Sequence, residues 1–157
     1  MIVTTQEELD AAIEAGEAQI IIDSPEGVWL RVGGSSRVVA RGSSSVVARG
    51  SSTVEAMDSA RVDAWESATV EARGSAYVVA LDSSRVVARE LSRVDAVGPS
   101  TVEAWDFARV DAWESATVEA RGSAYVVALD SSRVVARELS RVDAWDSSTV
   151  VVWGSGA

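Results

Sequence analysis

The sequence predicts an all-β fold, a parallel β-solenoid whose coils are built from eight-residue strand units (octads). Fifteen octads follow one another over residues 34–153, and the fifth residue of every octad is valine. The stretch 53–96 also returns almost unchanged as 101–144. Two positions differ between these copies, Met57 against Trp105 and Ser59 against Phe107. Because a unit this short cannot bury its own apolar face, the octads must stack on one another.

Residues 1–17 differ from the repeats and predict one N-terminal α-helix that caps the solenoid. Thr5 and Glu8 fit a capping box, in which the hydroxyl and the carboxylate each accept a hydrogen bond from a free backbone N–H group. Three apolar residues then share one face at helical spacing, Leu9, Ala12 and Ile13. We therefore divide the chain into a capping helix, 1–17, and a β-solenoid, 18–157.

Side-chain alternation within each octad predicts one buried and one exposed strand face. The third residue is always serine or alanine, the fifth is valine, and the seventh is alanine in fourteen copies. Side chains two residues apart point to the same side of a strand, so these positions predict a small, uniform interior. Positions four and six, mostly polar, predict the outer face. Positions one and two, Gly, Asp or Glu followed mostly by Ser, predict turns.

The length of one coil has two candidate values. The copies are offset by six octads, which allows flat coils of two octads each or triangular coils of three octads each. Flat, two-sided coils of two octads are favoured, because valine is too small to fill the centre of a triangle. A coil of three octads would also stack Glu71, Asp95, Glu119 and Asp143 in one like-charged column. The triangular coil stays the alternative, since it gathers one column of arginines.

The octads and the opening helix together resemble the repetitive β-helix (β-solenoid) proteins, and the resemblance covers residues 18–157. The helix resembles the cap that such proteins place over the first coil. The regular Thr-x-Thr motif of ice-nucleation solenoids is missing, because Thr53, Thr69 and Thr101 are each followed two residues later by Glu. The resemblance implies a fold and carries no site across. The near-identical duplicate is typical of an engineered or consensus-extended repeat protein.

Composition and charge exclude several classes of function. The chain has no cysteine and no histidine, which excludes disulfides, thiolate or imidazole metal sites and histidine-based catalysis. The formal net charge of −10 predicts repulsion of phosphate backbones, so we expect no nucleic-acid partner. Apolar runs are short and no secretory signal is recognisable, so we expect no membrane segment and, by default, a cytoplasmic protein. We expect no cofactor and no metal.

Acidic residues are the candidates for catalysis, because β-helical polysaccharide lyases and hydrolases carry acids and arginines on one outer face. Paired acids occur in each copy, Asp63 with Glu66 and Asp111 with Glu114. However, they recur at fixed octad positions, where cross-strand ion pairs with arginines such as Arg61 and Arg93 account for them. A catalytic site normally breaks a repeat at one place, and no octad is singled out. We therefore expect no enzyme.

Large apolar residues at outward positions predict an interface instead. The candidate interface comprises Trp65, Leu81, Trp113, Leu129, Trp145, Val151 and Trp153. The first five share the eighth position of alternate octads, whereas the last two lie in an uncharged stretch, 150–157, without a capping element. Packing of each Trp on the coil above or below it is the favoured account of the tryptophans, and self-association is its main competitor. Either an apolar column or an uncapped strand edge can bind another chain, so the competing hypothesis is a homodimer through one of them.

Three classes of function follow from these observations. Uniformity along the chain favours a non-catalytic structural or scaffold repeat with no specific ligand. The second class is a module for self-association or carbohydrate binding that uses the apolar column or the uncapped edge. A polysaccharide-active enzyme is third.

Overall fold

The computed structural model describes residues 1–154 and shows a parallel β-solenoid with one N-terminal helix. Its elements in chain order are β1 (Ile2–Val3), α1 (Gln6–Glu14), β2 (Ile21–Ile22), β3 (Trp29–Val32), β4 (Arg37–Ala40), β5 (Ser45–Ala48), β6 (Thr53–Ala56), β7 (Arg61–Ala64), β8 (Thr69–Ala72), β9 (Tyr77–Ala80), β10 (Arg85–Ala88), β11 (Arg93–Ala96), β12 (Thr101–Ala104), β13 (Arg109–Ala112), β14 (Thr117–Ala120), β15 (Tyr125–Ala128), β16 (Arg133–Arg137), β17 (Arg141–Ala144) and β18 (Thr149–Trp153).

Two parallel sheets form the two flat sides of the solenoid. Sheet A contains ten strands in the order β1-β2-β4-β6-β8-β10-β12-β14-β16-β18, and sheet B contains the eight odd-numbered strands from β3 to β17. Successive octads therefore alternate between the sheets, and each octad strand pairs with the strand two octads further along. The flat coil of two octads is confirmed, and the triangular coil of three octads is wrong.

The core lies between the sheets and consists of the predicted third, fifth and seventh positions. Valine stacks on valine and alanine on alanine along both sheets, as in the pairing of Val86 with Val102 and of Ala88 with Ala104. Most of these side chains are completely buried. The small, uniform interior holds the two sheets together without any residue larger than valine beyond β3. In the described core, larger apolar residues occur only where the helix meets the first coils, and include Leu9 of the helix and Ile22 and Leu30 of the strands.

The first position of every octad adopts the left-handed backbone conformation, with φ between 53° and 68°. Glycine adopts it without strain, whereas nine of the fifteen octads place Asp or Glu there. A hydrogen bond between coils compensates at several of them. The N–H of Gly50 donates to Oε2 of Glu66 at 2.7 Å, and the N–H of Gly74 donates to Oε2 of Glu90 at 2.8 Å. Each such carboxylate thus ties its own turn to the preceding coil.

Helix α1 covers the first coil, as predicted. Thr5 and Glu8 form the capping box, and Leu9 and Ala12 are buried against the core. The side-chain amide of Gln6 pairs with the backbone of Arg31, donating to its carbonyl oxygen at 3.0 Å and accepting from its N–H at 2.7 Å. Gln6 therefore occupies the place of a neighbouring strand on β3, the first strand of sheet B.

Strand β1 was not expected from the sequence. Ile2 and Val3 pair with Ile21 and Ile22, so the residues before the helix extend sheet A by one strand. Val3 is buried, whereas Ile2 is exposed. Two residues are too few to show a side-chain period, which is why the sequence gives no signal for this strand.

Like-charged carboxylates stack in the flat coil as well, so the repulsion expected for the triangular coil does not distinguish the two coil lengths. Glu55 pairs with Glu71, Glu103 with Glu119, and Asp95 with Asp111. The small volume of the interior is what favours the flat coil.

Candidate interaction surfaces

Five of the predicted interface residues lie together on sheet B. Trp65, Leu81, Trp113, Leu129 and Trp145 follow β7, β9, β13, β15 and β17, and Val97 follows β11 at the same octad position. We call these six residues the apolar column. At the strand spacing of about 4.8 Å, its five intervals make a stripe roughly 24 Å long. The structure thus brings these five predicted residues into one surface.

The tryptophans of the apolar column are exposed to different degrees. Trp65 is 37 % exposed, Trp113 is 43 % exposed and Trp145 is 62 % exposed, whereas the leucines between them are half-buried. Of these three tryptophans, Trp65 alone has an arginine over its ring within the described chain, with Cζ of Arg49 at 5.8 Å from the centroid. Packing on neighbouring coils therefore covers part of each ring and leaves an apolar stripe that water reaches.

Val151 and Trp153 lie elsewhere, on β18 of sheet A. They belong to the side of the solenoid opposite the apolar column, so the predicted interface is two separate surfaces. Val151 is 42 % and Trp153 is 58 % exposed. The final part of the uncharged stretch, 155–157, lies outside the described residues.

The second surface is the open face of the last described coil. Strands β17 and β18 have no described strand beyond them, and the core positions Val142, Ala144, Val150 and Val152 are partly or fully exposed. A cavity of about 910 Å³ opens here. Free strand edges beside an uncovered apolar interior are suited to pairing with another strand.

Three exposed apolar residues at turn positions of the octads were missed by the sequence reasoning. Leu91, Phe107 and Leu139 occupy the second octad position, in turns that enter sheet B, and each is at least 67 % exposed. Leu91 and Phe107 lie on adjacent coils. The signal was present, because the second position is serine in most octads and an apolar residue there departs from the pattern.

The ion pairs of the described chain lie on sheet A. Glu71 Oε1 lies 2.6 Å from Nη2 of Arg73 and 3.6 Å from Nε of Arg89. The second copy repeats this arrangement, with Glu119 2.6 Å from Arg121 and 3.0 Å from Arg137. Each glutamate is thus shared by two arginines.

The predicted ion pairs of Arg61 and Arg93 on sheet B are wrong. No described carboxylate lies within ion-pair distance of either arginine, and Arg61 instead lies over the ring of Tyr77 at 5.1 Å from its centroid. An aromatic face at the next coil attracts the guanidinium, which no pattern of charges alone predicts. Burial raises the pKa of Asp63, and the nearby charge of Arg61 partly offsets this.

A polar groove of about 570 Å³ lies on sheet B beside the turn that contains Leu91. Tyr77, Leu91, Arg93 and Asp95 are among the residues that line this groove. The hydroxyl of Tyr77 donates a hydrogen bond to Oδ2 of Asp95. Burial, followed by this hydrogen bond, raises the pKa of Tyr77 to about 12. A phenol held in its neutral form cannot serve as a base near neutral pH.

Each acid pair considered for catalysis is divided between a strand and the turn that follows it. Asp63 lies on the outer face of β7, whereas Glu66 lies in the following turn, and Asp111 and Glu114 repeat this separation. Within residues 1–154, no group of three or more Asp or Glu residues is arranged to hold a metal ion. The one helix of this range, nine residues long, is too short to cross a bilayer.

Comparison with known proteins adds no relative. No protein-family model, no curated protein and no solved structure matches this chain.

Proposed function

We propose that the chain is a non-catalytic structural repeat protein that acts as a rigid spacer or scaffold. The observation that supports this most is the unbroken register of the core. From β4 to β18 every strand places its fifth-position valine on the valine of the neighbouring coil. A tube whose interior never changes can vary in length without changing in cross-section, which is what a spacer needs.

Removing one repeat unit tests this proposal. Deleting residues 53–100 joins Ser52 to Thr101, which preserves the octad pattern and removes three coils. We expect a folded protein with the same circular dichroism per residue and a length reduced by roughly 14 Å in small-angle scattering. Loss of the folded state, or an unchanged length, would contradict the proposal.

Self-association is the second candidate function, and the apolar column favours it. A water-exposed stripe of three tryptophans on a flat sheet is the kind of surface that a second chain can cover. In this case, a homodimer forms with the two columns facing each other. Light scattering on the intact chain at high concentration tests it directly, and a strict monomer excludes it.

Two variants separate the apolar column from the open face of the last coil. Trp113→Arg with Trp145→Arg introduces the residue that Arg49 already supplies at this octad position, so the fold is expected to persist. A dimer through the column becomes monomeric in this variant. A dimer through β17 and β18 instead dissociates with Val152→Lys, since a buried lysine at the junction is costly. Trp105→Met, on the opposite sheet, is the control and leaves either dimer intact.

A further inference from the structure

Charge is divided between different parts of the solenoid, although the net charge is −10. All fourteen arginines lie at outward positions of the two sheets, and no basic residue lies in residues 1–26 or in the first-position turns. From β4 to β18, sheet A carries eight arginines and four glutamates at these positions. The acids concentrate instead in residues 1–26, which carry seven, and in the first-position turns, which carry nine. The outer face of sheet A is therefore basic on an acidic protein.

One column of this face contains only hydrogen-bond donors and hydroxyl groups. It consists of the fourth octad position of sheet A, and we call it the Arg/Thr column: Arg37, Thr53, Thr69, Arg85, Thr101, Thr117, Arg133 and Thr149. Its three arginines are exposed, and none has a carboxylate within 4.0 Å in the described chain. Each arginine is separated from the next by three coils, roughly 14 Å.

The glutamates beside this column are held on their other side. Glu71 and Glu119 are each engaged by two arginines of the eighth octad position, and Glu103 accepts a hydrogen bond from Nε1 of Trp105 at 2.8 Å. Glu55 is the fourth glutamate of the face. Three of the four carboxylates are thus directed toward position eight, and the arginines of the Arg/Thr column form no ion pair within the described chain.

We propose that the Arg/Thr column binds a linear anionic polysaccharide lying along the solenoid axis. The three guanidinium groups bind carboxylate or sulfate groups, and the threonine hydroxyls between them bond to sugar hydroxyls. The flat, continuous sheet lets an extended polymer contact all three arginines at once. Polyvalent contact of this kind raises the affinity above that of any single pair.

The spacing of the arginines favours a polysaccharide over nucleic acid. Duplex DNA carries one charge per roughly 1.7 Å, which is far denser than an arginine every 14 Å or so. Acidic first-position residues such as Glu66 and Asp82 flank the column and repel a polymer of that charge density. On this face of sheet A, Trp105 lies between two arginines. Arg89 and Arg121 both lie over its ring, so the ring is not free to stack on bases.

A triple substitution of the arginines tests the proposal. Arg37→Thr, Arg85→Thr and Arg133→Thr introduce the residue that this position already holds in the neighbouring coils, so the fold is expected to persist. The probe is fluorescent hyaluronan, in which charged and neutral sugars alternate, titrated at low ionic strength and followed by anisotropy. We expect the intact chain to bind it and the variant to bind at least about tenfold more weakly.

The matched control removes the same charge from sheet B. Arg61→Ser, Arg93→Ser and Arg109→Ser occupy the same octad position, where β5 holds Ser45, and we expect hyaluronan binding to stay within about twofold of the intact chain. Thermal unfolding by circular dichroism confirms that both variants fold. Absence of hyaluronan binding by the intact chain overturns the proposal, and so does an equal loss in both variants. Tighter binding of duplex DNA than of hyaluronan assigns the column to nucleic acid and also overturns it.

Discussion

The two copies of the repeated stretch, 53–96 and 101–144, show what a coil gains from its neighbours. Their side-chain contacts are almost the same, since Arg61 lies 5.1 Å from the Tyr77 ring and Arg109 lies 5.2 Å from the Tyr125 ring. The burial of their last strands is not. Val94 and Ala96 at the end of the first copy are fully buried, whereas the equivalent Val142 and Ala144 are partly or fully exposed.

The same sequence therefore has two different environments in one chain. Strand β11 lies between β9 and β13, whereas β17 pairs with β15 alone among the described strands. Burial in a solenoid is supplied by the adjacent coils, so the stability of a coil depends on its position in the stack as well as on its own residues.

The largest expected effect comes from placing a charge in equivalent rungs of the two copies. Val94→Asp buries a carboxylate with no partner and should destabilise the fold by about 4 kcal/mol or more. Val142→Asp leaves the carboxylate partly in water and should cost about 1–2 kcal/mol. Chemical denaturation followed by circular dichroism measures both. Equal losses would show that the copies do not differ in the way their burial indicates.

A smaller effect is expected from Trp105, the residue on the outer face of sheet A that differs between the two copies. Trp105 lies between Arg89 and Arg121, with Cζ atoms at 5.6 Å and 4.7 Å from its ring, and Trp105→Met should cost about 1 kcal/mol.

The reciprocal change, Met57→Trp, is the matched partner of that substitution. Arg41 and Arg73 occupy the same octad position on the coils before and after Met57, so a new ring should bind both and stabilise the fold by about 0.5–1 kcal/mol. Melting temperatures check both changes. A destabilising Met57→Trp would show that the two copies differ in more than this residue.

The tyrosines sharpen the comparison through pH. Tyr77 has its pKa raised from 10.0 to about 12, chiefly by burial, whereas the pKa of Tyr125 is raised chiefly by its hydrogen bond to Asp143. A raised pKa stabilises the fold below the unfolded value of about 10, and this stabilisation is lost as the pH rises toward 12. In Tyr125→Phe only Tyr77 absorbs as a tyrosine, and its ultraviolet titration should have a midpoint near 12. A midpoint near 10 would contradict the burial of Tyr77 as well as its contact with Asp95.

The smallest effect concerns buried serines. Ser84 and its equivalent Ser132 are fully buried, with no hydrogen-bond partner for Oγ among residues 1–154, and alanine occupies the same octad position elsewhere. Ser84→Ala and Ser132→Ala should each stabilise the fold by up to about 1 kcal/mol.

Ser44 supplies the control for these serines. Its Oγ donates to the carbonyl oxygen of Arg41 at 2.7 Å, so Ser44→Ala loses a hydrogen bond and should not stabilise. Calorimetry compares the three variants. If Ser44→Ala stabilised the fold as much as Ser84→Ala does, the hydrogen bond from Ser44 to Arg41 would contribute nothing to stability.

Most of the fold could be predicted because every octad shows the same inward positions. Valine at position five and small residues at positions three and seven determined the faces, and the interior volume determined the coil. The bond from the N–H of Gly50 to Glu66 could not be predicted, because it joins turns that become neighbours only once the coil length is known. The sequence predicted only that acidic residues at the first octad position form turns.

The candidate surfaces were predicted less completely. The apolar column follows from the coil length and five of its six members were predicted, whereas Leu91 and Phe107 were missed because turn positions were assumed to be polar. Net charge also concealed the basic face of sheet A. An average over the chain cancels the arginines of the sheets against acids that lie in the turns and near the helix.

The outward residues repeat every three coils, although the backbone repeats every coil. An insertion of a single coil would therefore lengthen the rod and interrupt the three-coil repeat of the outer groups on both sheets, whereas an insertion of three coils preserves it. The solenoid thus has two repeat lengths, one coil for the backbone and three coils for the outward residues. Only insertions in multiples of three coils keep both repeats intact. The rod can therefore be lengthened with an unchanged pattern of surface residues only in steps of roughly 14 Å.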